Sequence, residues 1–94
     1  MPRFMIKRTF PGGLEIPVNQ DGADALANIV EVNRNEGVTW VNSFVSDDRT
    51  RTYCVYDGPD RESIRRAAES NGLPVDEVDE VRVLDPYFYL GADR

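Results

Sequence analysis

Histidine is missing from the sequence altogether. That absence removes imidazole metal sites, serine–histidine–aspartate triads and histidine acid–base catalysis together. Cysteine occurs once, as Cys54, so no intrachain disulfide can form; this fits a reducing cytoplasm. No apolar run approaches the ~18 residues that a membrane span requires. The N-terminal MPRFMIKRTFPGG also lacks the apolar stretch of a signal peptide. The expectation is a cytoplasmic protein with no membrane partner. Positive charge is scarce too: 11 Lys and Arg stand against 17 Asp and Glu, for a net charge of -6. The basic residues are interspersed with acids, so the concentrated basic face that nucleic acid demands is lacking. Pro11-Gly12-Gly13 lacks the spacing and the lysine–serine pair of a phosphate-binding loop.

What is present is one small domain over residues 1–94, with 40% hydrophobic and 30% charged residues. A chain this short buries only ~60–65% of its unfolded surface, so association would add burial that a monomer lacks. Alternation predicts a first strand over residues 3–10, with Phe4, Ile6 and Arg8 on one face and Met5, Lys7 and Thr9 on the other. Residues 14–20 read as a connecting loop. Asp21 is the expected cap of a first helix whose buried stripe is Leu26, Ile29 and Val30, and Gly37 ends it. A second strand over 38–45 puts Val38, Trp40, Asn42 and Phe44 on one face. Ser46 to Arg49 supplies a turn, and 50–57 is the antiparallel partner strand, with Thr52, Cys54 and Tyr56 on one face and Tyr53 and Val55 on the other. Gly58-Pro59 breaks that strand, Asp60 caps a second helix with an Ile64, Ala67 and Ala68 stripe, and Gly72 and Pro74 close it. A last strand is expected over 78–85, followed by an aromatic tail over 87–94 that should pack on the sheet or on a partner subunit.

The order βαββαβ is the ferredoxin-like α+β sandwich: a four-stranded antiparallel sheet with two helices on one face. Both faces of the central hairpin carry apolar or aromatic side chains, so cover is expected on both. Pairing of two such sheets into a homodimeric α+β barrel would supply it.

The segments MPRFMIKRTFPGG, GVTWVNSFVSDD and RTYCVYDGPDRESIRRAAESNGLPVDEVDEV resemble a family of short bacterial domains of unknown function that includes a nickel-responsive, nickel-binding protein. The shared points are Tyr53-Cys54-Val55-Tyr56, Pro59 at the start of the second helix, and the Asn71-Gly72-Leu73-Pro74 break. The resemblance implies a dimeric ferredoxin-like fold and brings in nickel as a ligand. Members of the family commonly carry a histidine five residues before the closing glycine of the second helix; here that residue is Ala67. Nickel favours imidazole nitrogen, so metal binding is disfavoured and no cofactor is expected.

Seven residues are candidates for a ligand site. Trp40, Asn42 and Phe44 would form two aromatic walls and an orienting amide, or else a dimer-facing core. Tyr53 and Tyr56 flank Cys54, and only one of the two tyrosines can share a face with the others. Cys54 is either a soft ligand or nucleophile, or the small buried hydrophobe that free cysteines usually are. Arg8 would clamp a carboxylate, or pair with an acid such as Asp57. Asp47-Asp48 and the acidic run Asp76, Glu77, Asp79 and Glu80 read as turn and solvated residues. The leading expectation is a homodimeric small-molecule-binding protein of unknown ligand, with a groove on the open face of its sheet. The alternatives are an isomerase, cyclase or monooxygenase of the dimeric barrel type, with no catalytic residue assigned, and a structural or protein-interaction module.

Overall fold

A computed structural model describes residues 1–91. The elements run β1 (Arg3–Thr9), α1 (Gln20–Asn35), β2 (Thr39–Val45), β3 (Arg51–Asp57), α2 (Arg61–Ser70), β4 (Glu77–Val81) and α3 (Pro86–Gly91). The strands form one antiparallel sheet in the order β2-β3-β1-β4, with the central pair in the register Phe4 opposite Tyr56 and Ile6 opposite Cys54. This is the α+β, ferredoxin-like arrangement that the element order predicts.

One face of the sheet builds the core. Phe4 and Ile6 of β1, Cys54 and Tyr56 of β3 and Val78 of β4 pack with Val38 and with Ile64 and Ala67 of α2. The two alanines of α2 carry little bulk, which lets its backbone lie close to the strands. The opposite face is mixed. Arg3 pairs with Asp57 and Lys7 with Glu77, while Met5, Val55, Tyr53 and Phe44 lie between and beyond those charges.

Helix ends follow local chemistry. Asp60 Oδ1 accepts from the Ser63 backbone N–H at 2.8 Å, as expected of the cap of α2. The cap of α1 is Asn19 rather than Asp21: Asn19 Oδ1 accepts from Gly22 N–H at 3.1 Å, and Asp21 lies inside the first turn. Gly37 takes a φ of 71° where α1 gives way to β2, a conformation that glycine adopts without Cβ strain.

Three expectations are corrected. The last strand stops at Val81 instead of continuing to 85: Val81 pairs with Arg3, the first residue of β1, and the Pro2 before it has no N–H to donate and gives its carbonyl to the Gly58 N–H. The following Asp85 instead accepts from the Tyr87 and Phe88 backbone N–H groups and starts the short helix α3, where Tyr87 is 80% exposed and Phe88, Tyr89 and Leu90 are also exposed. The aromatic segment therefore does not pack on the sheet of its own chain; residues 92–94 of the expected tail lie outside the described residues. Finally, the stripe of α1 is not a buried stripe. Its buried residues are Gly22 and Asn33, Leu26 and Ile29 are half-buried, and Val30 is exposed.

Candidate functional site: a cleft beneath the first helix

The site begins with an irregularity in β2. Trp40 pairs with Tyr56, but the next pair is Asn42 with Val55, so Val41 is an extra residue and forms a β-bulge. A bulge exchanges the faces of everything beyond it. Trp40, Ser43 and Val45 therefore look toward the helices, alongside Tyr56, Cys54 and Thr52, while Asn42 and Phe44 turn to the open face with Val55 and Tyr53. The expected Trp40–Asn42–Phe44 wall does not exist, because strict alternation presupposes one-to-one pairing.

On the helix side, the middle of α1 stands off the sheet and leaves a cleft of about 330 Å³. That lies at the small end of the ~300–1,000 Å³ typical of ligand pockets. Leu26 and Ile29 form the roof, and Trp40, Cys54 and Tyr56 the floor. Phe10, Leu14 and Ile16 of the segment joining β1 to α1 close one side. Trp40 and Tyr56 stack with ring centroids 6.4 Å apart and planes inclined by 23°. The Trp40 indole Nε1 donates to Ser43 Oγ at 2.8 Å, which fixes the indole plane and leaves its polar edge satisfied.

One charge enters this apolar cleft. Arg8 continues the Phe4, Ile6 row on β1 and is only 3% exposed. It does not pair with Asp57. Register explains this: Asp57 lies opposite Arg3, which holds it at 2.8 and 3.1 Å on the other face, whereas Arg8 lies opposite Thr52. Among the described residues Arg8 forms no salt bridge, in contrast to Arg3, Lys7, Arg34 and Arg66. Its Nε is buried without an acceptor, and its guanidinium carbon lies 5.7 Å from the centre of the Tyr56 ring. Such a cation–π contact compensates part of the desolvation of a buried cation. Burial pushes the Tyr56 phenol above its ordinary value, against the opposing pull of the Arg8 charge, so Tyr56 is a neutral hydroxyl at physiological pH. Cys54 is buried, with Sγ 3.7 Å from Thr52 Oγ1.

Of the seven candidate residues, Arg8, Trp40, Cys54 and Tyr56 meet at this cleft, and Asn42, Phe44 and Tyr53 lie on the opposite face. The roof and side wall escaped the sequence reading. The available signal was Phe10, Leu14 and Ile16, three large apolar residues in a stretch assigned as connector.

Comparison with known proteins places the chain. A family profile described as "Nickel responsive protein SCO4226-like" matches residues 4–81. The chain belongs to this family. The crystal structure of SCO4226 from Streptomyces coelicolor A3(2) superimposes with a TM-score of 0.68 at 23% identity, over 88% of this chain and 99% of that one. At this identity the likeness establishes the shared fold. No curated protein matches the sequence.

Proposed function

We propose that the protein is a small-molecule-binding member of its family, with the ligand lodged between α1 and the sheet. The observation that carries this reading is the hollow under α1. A helix of 16 residues that buries only Gly22 and Asn33 leaves apolar side chains facing a cleft instead of a packed core. Interiors normally close such space, since voids forfeit dispersion contacts; a ligand would restore them. The cleft lining contains no carboxylate among the described residues, and its titratable groups are Arg8, Cys54 and Tyr56. That supports a binding protein over an acid–base enzyme.

The family description brings in nickel. The donor set of this chain does not fit it: the sequence has no histidine, and the described residues nowhere gather three His, Cys, Asp or Glu side chains around a common point. The proposal therefore uses no metal.

Titration with toluene, a neutral probe, tests the reading. Methyl NMR shifts should concentrate on Leu26, Ile29, Leu14 and Val45. Shifts spread over the surface, or none at millimolar probe, would refute it.

A second reading concerns the open face, where Phe44 is 59% exposed and lies opposite Tyr53. Two such faces brought together would cover Phe44, Tyr53 and Met5, which supports homodimerisation. A concentration-independent monomer in sedimentation at micromolar protein would reject it.

A further inference from the structure

Granting the cleft as the binding site, we infer that it selects ligands carrying a single carboxylate on an apolar body, with Arg8 as the recognising charge. The inference rests on Arg8 rather than on the cleft volume, so the two can fail separately.

The row Phe4, Ile6, Arg8 runs along the buried face of β1. Core packing would favour a third apolar residue at its end. A guanidinium there loses nearly all its water, and the described residues return no carboxylate to it. Buried charges are ordinarily paired, because the cost of an unpaired one exceeds that of most other defects in a fold. The Tyr56 ring face offers only partial compensation, and Nε still has no acceptor. The described residues thus leave this acceptor to be supplied by another group, and a bound ligand can provide it. A carboxylate is matched to a guanidinium in geometry, accepting two parallel N–H bonds.

The rest of the lining sets the charge and the body of the ligand. Among the described residues Arg8 is the one cation of the cleft, so a monoanion neutralises it, while a phosphate monoester would bring a second charge with nothing there to meet it. Trp40, Leu26, Ile29 and the Tyr56 ring offer mainly apolar and aromatic surface to the remainder. A flat or extended hydrocarbon end suits that surface.

The test compares 4-phenylbutyrate with its neutral isostere 4-phenylbutyramide, titrated into the intact protein and into Arg8→Met and followed at the cleft methyls. The acid should bind the unmodified protein about tenfold more tightly than the amide, the order expected for one charge-assisted hydrogen bond. Arg8→Met should erase that preference while leaving amide binding in place. The ligand-free variant should also melt higher than the parent, because an uncompensated charge has been removed. Equal binding of acid and amide to the unmodified protein overturns the inference and leaves the cleft reading intact, and this comparison needs no variant to fold. A preference that survives Arg8→Met, or a variant that melts lower, assigns the guanidinium a structural role and likewise overturns it. If toluene, acid and amide all leave the cleft methyls unmoved, the cleft reading falls and the inference falls with it.

Discussion

Trp40 and Ser43 are three residues apart on one strand, yet the indole Nε1 of the first donates to the hydroxyl of the second at 2.8 Å on the same face of the sheet. In a regular strand, residues at that separation point to opposite faces. The bulge at Val41 makes the contact possible, and the contact in turn holds the indole against Tyr56 as the floor of the cleft.

Ser43→Ala should therefore release the indole. The expected cost is about 0.5–1.5 kcal/mol, the usual net value of one hydrogen bond. Trp40 is the sole tryptophan, so its emission maximum and near-UV circular dichroism report the change directly. An unchanged tryptophan spectrum would show that stacking on Tyr56 alone fixes the ring.

Gly22 tests the entry to α1. A Cβ at this position would lie 1.8 Å from the Pro17 carbonyl oxygen, which is backbone and cannot rotate away. Gly22→Ala should force the helix start off the preceding segment and destabilise the fold by about 1–3 kcal/mol, as overpacking does. Urea denaturation measures the loss. Because the segment that shifts continues from Leu14 and Ile16, ligand affinity should fall along with stability.

Asn33 joins α1 to the end of α2. It is 1% exposed; its side-chain oxygen accepts from Asn71 Nδ2 at 3.1 Å, and its backbone carbonyl accepts from Val38 N–H at 2.9 Å. Asn33→Ala removes the side-chain partner and opens a buried gap, at a cost of about 1–3 kcal/mol. A double-mutant cycle with Asn71→Ala should show a coupling of about 0.5–3 kcal/mol, whereas additive losses would mean the contact is incidental.

Acid should weaken the protein through its hairpin turn. The Asp48 carboxylate accepts from the Thr50 backbone N–H, the Thr50 hydroxyl and the Ser46 hydroxyl, and these bonds hold its pKa at about 2 against an ordinary 3.8. Asp57, beside Arg3, and Asp60, at the cap of α2, are lowered as well. A depressed carboxylate contributes its stability in full above the ordinary value and loses it as pH falls toward the lowered one. The urea midpoint should thus hold steady from neutral pH to about 4 and drop toward pH 2. In Asp48→Asn the slope of that drop should flatten; an unaltered slope would remove Asp48 from the account.

The order of elements was legible because punctuation marks it. Gly37, Gly58-Pro59 and Gly72 end elements where the structure ends them, and the Ile64, Ala67, Ala68 stripe of α2 is buried as its spacing requires. The β2 faces were not legible. Thr39 to Val45 sets apolar and polar residues in adjacent pairs, Trp40-Val41, Asn42-Ser43 and Phe44-Val45, so polarity assigns neither face, and nothing in the residue types singles out Val41 as the one without a partner. The end of β4 was equally hidden, since it depends on where a strand distant in sequence happens to begin. Arg8 was visible as a candidate, but its isolation was not: which acid it could reach depends on register, and register gave Asp57 to Arg3.

The first helix is moored at its two extremities, by Gly22 against Pro17 and by Asn33 against Asn71, with little beneath its centre. It is built like a plank on two trestles. Bowing at mid-length would admit a guest without unseating either support, so a visiting molecule need not wait for the domain to unravel before it can enter or leave.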